Sequence, residues 1–245
     1  MSTRDAEAGS RTLVRGLRIL RLFEDRPQGI SQVEMSAMLD VPLPTIGRLC
    51  RALCDEGFLE REDTGRRLRL GPTFRQLSRV LLPSSDDMEQ RWMQELQREF
   101  SEDINMAVLD GPDVLYVASR RGGQTLNVST PIGTRARAHT VAAGKALLAE
   151  LTESELIAAL GPGPYERATG KTIGTWTELT EQLAAVRAEG VARTWEEYAD
   201  GVASVARALP PSPNGRRAAI AVTMPTARAT PEQVKKIVHT ISEMW

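Results

Sequence analysis

ISQVEMSAMLDVPLPTIGRLCRALCDEGFLEREDTGRRLRLGP, Ile30 to Pro72, is the stretch on which the fold turns. It reads as two short helices split by a turn, then a strand, a tight turn and a second strand. Ser31 and Glu34 have the spacing of a capping box, and Ile30 before the cap can staple to Met35. Val33, Met38 and Leu39 are the expected buried side of this helix, and Asp40-Val41-Pro42 stops it. The next helix starts near Pro42 to Pro44, because a first-turn N–H has no helical partner and proline loses nothing there. Ile46, Leu49, Cys50 and Leu53 then face inward, and Thr45, Arg48, Arg51 and Ala52 outward. Gly57 is the usual residue just past a helix end. Phe58 to Glu62 is strand-like, Asp63-Thr64-Gly65 is a hairpin turn signal, and on the return strand Leu68 and Leu70 alternate with Arg67 and Arg69.

Upstream, Met1 to Gly9 is small and polar and is expected to be disordered. From Ser10 the pattern turns helical, with Leu13, Leu17, Leu20 and Phe23 as an apolar stripe, and Arg26-Pro27-Gln28-Gly29 breaks the helix. Three helices followed by a two-stranded hairpin is the winged helix-turn-helix plan. Such a module presents a few side chains of one helix to base edges, and basic residues of the wing to the flanking backbone. Gly47 sits inside the expected recognition helix and costs about 1 kcal/mol against alanine there. Close approach of a partner surface is one reason to keep it; neutral drift is the other.

Composition agrees without adding much. The chain has 245 residues, 41% hydrophobic and 26% charged, enough for one large domain or two smaller ones. Net charge is −1, so no global basic field advertises a polyanion partner. Met1 to Arg75 nevertheless holds 13 arginines, no lysine and 11 acids, so any nucleic-acid signal is local and carried by arginine placement. No long apolar run or leader occurs, and a cytoplasmic protein with no membrane partner is expected. The two cysteines, Cys50 and Cys54, lie four apart on one helix. That spacing reads as two small semi-buried residues, with a redox or metal role as the alternative, and no metal or cofactor is expected.

Beyond Pro72 the chain reads as a second domain. Thr73 to Leu82 is amphipathic and joins the modules, and Pro83-Ser84-Ser85 punctuates. Asp86 and Asp87 favour a helix start, and Met88, Trp92, Leu96 and Phe100 recur at four-residue spacing as core or dimer packing. Ile104–Leu109 and Val114–Ala118 read as strands about Asp110-Gly111-Pro112-Asp113, and Leu126–Ser129 as a third. Thr140 to Leu151 is a helix whose first turn, VAAGK, is small enough to expose backbone N–H groups at a positive helix end. That turn suits an anionic ligand group or, equally, tight packing of helix on sheet.

The run LVRGLRILRLFEDRPQGISQVEMSAMLDVPLPTIGRLCRALCDEGFLEREDTGRRLRLGP resembles the N-terminal half of IclR-family transcriptional regulators. INMAVLDGPDVLYV, HTVAAGKALLAEL, EEYADGVASVARAL and AAIAVTM follow in the family's order and spacing, so the resemblance runs from about Ser10 to Trp245. It implies an α+β chain: a winged helix-turn-helix over 10–71, a linker helix over 72–84, and a GAF-like α/β effector-binding domain over 85–245. It also implies a homodimer or homotetramer that binds double-stranded operator DNA of pseudo-palindromic sequence under control of a small-molecule effector.

Carried onto this sequence, the DNA contacts are Ser31, Thr45, Gly47, Arg48 and Arg51, with Arg66 and Arg67 in the wing. Leu43 and Pro44 replace typical polar residues. The effector contacts are Val128, the backbone of Ala142 and Ala143, Thr194, Trp195, Ser204, Ala221 and Thr223. Members often carry an acid at the position of Thr194, a cysteine at Ser204, and serines at Ala221 and Thr223. The pocket therefore reads as less acidic than those for very small keto acids, and Trp195 adds a flat apolar surface. A small organic acid or derivative, aromatic ones included, is the expected effector. An enzyme is not expected: G-x-S-x-G, a Walker loop and a metal-spaced His/Cys cluster are missing, and His139 stands alone before a helix. The alternative reading is a winged-helix adaptor that binds protein rather than DNA.

Overall fold

The structure, a computed structural model, describes residues 3–24, 26, 28–62, 66–81, 88–211 and 217–245. The expected hairpin turn at Asp63-Thr64-Gly65, the punctuation at Pro83-Ser84-Ser85 and the acids Asp86 and Asp87 lie outside these residues. The chain divides into two compact units, Met1–Pro83 and Ser84–Trp245.

In the first unit, helix α1 spans Thr3–Arg21, so most of the segment expected to be disordered continues the helix. The apolar stripe of α1 also differs from the expected one. Gly16, Ile19 and Phe23 face the core, whereas Leu13 and Leu17 lie on the next face round and are exposed. A short strand β1 (Ile30–Ser31) leads into α2 (Gln32–Leu39). The capping box forms: Ser31 N donates to Glu34 Oε2 at 2.8 Å, and Glu34 N donates to Ser31 Oγ at 3.2 Å. Ile30 and Met35 are both fully buried in one cluster, as a staple requires. Val33 and Met38 are exposed instead of buried, because a two-turn helix reaches the core along one line and Met35 occupies it.

Helix α3 (Leu43–Asp55) buries Ile46, Leu49 and Cys50, and its outward residues are as expected. Strands β2 (Leu59–Arg61) and β3 (Arg67–Leu70) form the wing. β1 pairs with the free edge of β3, Ile30 opposite Leu68, giving a three-stranded sheet in place of the expected two. Helix α4 (Pro72–Leu81) follows, with Phe74 set edge-on against Phe58 at 5.5 Å. Burial pushes the Cys50 thiol up to about 11 and raises Cys54 as well, which suits packing residues rather than reactive thiols.

The second unit holds α5 (Met88–Phe100), β4 (Asp103–Asp110), β5 (Asp113–Arg120), β6 (Arg135–Arg137), α6 (Ala142–Ala149) and α7 (Glu153–Leu160). It continues with α8 (Trp176–Glu189), β7 (Ala192–Trp195), β8 (Val202–Ala208), β9 (Ala218–Pro225) and α9 (Pro231–Met244). The six strands form one antiparallel sheet in the order β6-β5-β4-β9-β8-β7. α6 and α8 cover one face, where small residues such as Ala107, Ala206 and Ala221 let the helix sit close. α5 and α9 cover the other through Ile104, Met106, Ile220 and Val222.

Two expectations change here. α5 buries Met93, Leu96 and Phe100, while Met88 is exposed and Trp92 half-buried. Leu126–Ser129 is not a strand. The edge of β5 it would need is taken by β6, Val114 opposite Ala136, and the segment is held as a loop by side chains instead. Arg228 Nη2 donates to Leu126 O at 2.9 Å, and Asn127 Nδ2 to Gly122 O at 3.4 Å. Among the described residues, no helix is long and apolar enough to cross a membrane.

Candidate functional site

The first site is the outward face of α3. Arg48 and Arg51, three residues apart on one helical face, are exposed and have no side-chain partner among the described residues, and Thr45 is half-buried beside them. A Cβ on Gly47 would meet only Gln32 Oε1, at an ordinary 3.6 Å. Nothing within the unit therefore requires a glycine there. Gly47→Ala should raise the unit's stability by about 0.5–1 kcal/mol in thermal unfolding, through helix propensity alone. A simultaneous loss of DNA affinity would mark close approach to the duplex; retained affinity would mark drift. Gln32, at the start of α2, shares this surface, and sequence reasoning missed it because its role depends on the crossing of two helices.

The wing arginines divide. Arg66 is exposed without a side-chain partner among the described residues. Arg67 is a strut: Nη1 donates to Gly29 O at 2.9 Å and Nη2 meets Glu34 at 3.4 Å. Glu34 in turn is held below the usual carboxylate range, first by the Ser31 backbone N–H and then by its hydroxyl. Arg67 thus ties the wing to the capping box, and Arg69 pairs with Glu62 at 3.6 Å. Ser31 is half-buried; its hydroxyl oxygen accepts the cap bond and its hydrogen serves the Glu34 carboxylate.

The second site lies on the sheet face beneath α6. Pairing register puts Thr194, Ser204, Thr223 and Asp103 in one row across β7, β8, β9 and β4. The next row on that face holds Ala206, Ala221, Asn105 and Ser119. Ser204 Oγ donates to Thr223 Oγ1 at 2.9 Å. α6 packs across β4, β9, β8 and β7, and its first residues Ala142 and Ala143 are buried in the cluster that contains Ala206 and Ala221. Val141 precedes the helix and supplies no side-chain cap, so no N-cap side chain covers the helix's positive end. Six of the eight expected contact residues therefore share this face.

Trp195 does not join them. Val128 stands half-buried in the loop that replaced the expected strand. Trp195 follows Thr194 in β7, so strand alternation turns it to the opposite face; it is exposed and sits opposite Ala203, a residue of the α5–α9 core. Sequence reasoning missed Asp103 and Asn105, both buried. The local signal, an acid and an amide two apart at the head of an apolar strand, points to no site until the cross-strand partners are known.

Beside this face lies a buried ion pair. Lys145, in α6, is 1% exposed, and its Nζ donates to Glu197 Oε2 and Gln182 Oε1. Burial lowers the Lys145 pKa, and the neighbouring Glu197 charge works against that. Glu197 belongs to the β7–β8 loop, and its carbonyl also accepts from Thr172 Oγ1 at 2.5 Å. The His139 ring packs at a tilt against Tyr165 at 5.1 Å, its Nε2 lies 3.0 Å from Glu166 O, and burial lowers its pKa.

Comparison with known proteins follows this division. Residues 12–63 match the IclR helix-turn-helix domain, and residues 86–244 match the bacterial transcriptional regulator IclR C-terminal domain. The HTH-type transcriptional regulator TtgV of Pseudomonas putida is 32% identical over 223 residues, 91% of this chain and 84% of that protein. A proposed transcriptional regulator from Rhodococcus sp. RHA1 is 27% identical with a TM-score of 0.75, covering 96% of this chain and 97% of that one. An IclR homolog from Microbacterium hydrocarbonoxydans, crystallised with 4-hydroxybenzoate, has the same fold at 21% identity, with a TM-score of 0.79 over 95% of this chain and 97% of that one.

Proposed function

The chain belongs to the IclR family of DNA-binding transcriptional regulators, and from that premise we propose that it binds a pseudo-palindromic operator as a dimer or a pair of dimers and releases or tightens its grip when a small organic acid fills the α6 face. The observation that carries the DNA half is the outward face of α3, where Arg48 and Arg51 are exposed with no side-chain partner among the described residues and Thr45 lies half-buried beside them. A helix of this exposure fits the major groove, and a guanidinium can bond a guanine edge in two places. Arg66 acts on the backbone from the wing. Arg67 acts indirectly, by fixing the wing's position.

The effector half rests on the uncapped start of α6 over a row of small and hydroxyl side chains. Helix N–H groups stabilise an anionic group, and the alanines at 142, 143 and 221 bring only small apolar side chains to this face. With Trp195 on the opposite face, an aromatic wall is not part of the reading. The IclR homolog from Microbacterium was crystallised with a hydroxylated aromatic acid, which supports keeping aromatic acids within the effector class. Ligand control is a shift between dimer geometries that hold the two recognition helices at different spacing, which requires unequal binding to the two states.

The direct test is Arg48→Ala. Operator affinity should fall about 5- to 150-fold, the equivalent of about 1–3 kcal/mol, while affinity for random duplex stays within about twofold. Equal loss on both sequences would reduce Arg48 to a phosphate contact.

A further inference from the structure

The α6 face contains two buried polar atoms that have no hydrogen-bond partner among the described residues. Asp103 is 2% exposed; its Oδ1 accepts from Gly122 N at 2.7 Å and the Arg228 charge acts on the carboxylate, but Oδ2 has no hydrogen-bond partner. Asn105 is fully buried; its Oδ1 accepts from Ser119 Oγ at 2.9 Å, but Nδ2 has none. Leaving such groups unpaired is costly, by about 1–3 kcal/mol for a neutral atom and more for a charged one, so native folds rarely do so without a reason. Register places both on the effector-site side of the sheet, Asp103 opposite Thr223 and Asn105 opposite Ala221. Two residues apart on one strand, they stand about 7 Å from each other.

The pair differs in chemistry. Asp103 Oδ2 can only accept a hydrogen bond, whereas Asn105 Nδ2 can only donate one. Thr223 supports the donor side: it already receives the Ser204 hydroxyl, which leaves its own hydrogen to give. The start of α6, which has no side-chain cap, adds backbone N–H donors. A plain carboxylic or keto acid would satisfy the donors and leave Asp103 Oδ2 buried against another acceptor. We infer that the effector is a hydroxy acid, whose carboxylate takes the donors of Asn105 and α6 and whose hydroxyl donates to Asp103 Oδ2. This deepens the effector reading above and rests on it.

The test uses the full chain and matched acids with and without the donor: lactate against 2-fluoropropionate, 4-hydroxybenzoate against 4-fluorobenzoate, and longer pairs of the same kind. Binding is read by calorimetry and by the change in DNA retention. In at least one pair the hydroxy member should bind about tenfold or more tightly, because a site built around a hydroxyl rejects its isostere. Asp103→Asn keeps the acceptor for Gly122 but turns the free oxygen into a donor, so the preference within that pair should collapse or reverse toward the member without the hydroxyl. If acids bind and alter DNA retention with the two members of every pair within about twofold, the inference is wrong and the effector reading stands. If Asp103→Asn folds and leaves the preference unchanged, Asp103 is not the acceptor and the inference is again wrong. If no acid of the panel binds, both fall. Should the variant not fold, the wild-type ratios decide alone.

Discussion

Replacing Glu197 by alanine is expected to destabilise the second unit by about 3–5 kcal/mol, because it strands the Lys145 ammonium in the interior. The side chains of this pair are only 1% and 9% exposed, so water cannot take over from the lost carboxylate. Gln182 remains as a neutral partner and is not enough to offset a buried charge. The converse is as informative. Replacing both members together, Lys145→Met with Glu197→Leu, should return most of the lost stability, since an apolar pair of similar size has no desolvation cost. All four tryptophans, Trp92, Trp176, Trp195 and Trp245, belong to the unit that contains the pair, so urea unfolding of the full chain followed by tryptophan fluorescence reports on that unit alone. A loss below about 1 kcal/mol in Glu197→Ala would mean that the ammonium finds solvent or neutralises at little cost.

The second large effect is Gly144→Ala. A Cβ there would fall far inside van der Waals contact with Ala138 O and lie 2.6 Å from Ala138 C and Cα. These are backbone atoms of the turn that leads into α6, Ala138–Thr140, and they cannot rotate away. The helix and the turn must separate, at a cost near or above the ~3 kcal/mol upper range for overpacking. The displaced element is the first turn of α6, so effector response should be lost with it. Fluorescence-detected unfolding should show the weaker second unit, while retention on operator DNA without ligand persists. Unchanged stability and ligand response together would show that α6 is not tightly seated at Ala138.

Both effects concern residues whose importance the sequence conveys only in part. Lys145 read as the lysine of GKA, without the hydroxyl residue of a phosphate loop, and its burial depends on Glu197, 52 positions away. What was legible is what local chemistry dictates. The capping box at Ser31 and Glu34, the inward and outward faces of α3, the glycine after it and the β4–β5 hairpin all follow from spacing of a few residues. What was not legible depends on which neighbour wins a place. β1 is two residues long, too short for any alternation, and exists because β3 offers an edge. Leu126–Ser129 has strand composition but loses the β5 edge to Arg135–Arg137. Leu13 and Val33 are as apolar as the residues that replace them in the core, so composition could not choose between adjacent helix faces.

The candidate site divides the same way. The resemblance carried Ala142, Ala143, Thr194, Ser204, Ala221 and Thr223 to one sheet face, and the register places them together. It also carried Trp195, which alternation alone would have turned away from Thr194. Asp103 and Asn105 were passed over because a polar residue inside an apolar strand has no meaning until its cross-strand partners are known.

The central claim is that one chain reads DNA with α3 and a small acid with the α6 face. It is tested most directly by titrating the full chain against duplex DNA from upstream of its own gene and the neighbouring genes, with and without a panel of hydroxy, keto and aromatic acids. The expected result is a sequence-specific shift that weakens steeply with salt, as arginine–phosphate contacts release counterions, and that one class of acid strengthens or abolishes. No shift with any probe at low salt would contradict the DNA half of the claim, and a specific shift that no acid alters would contradict the effector half.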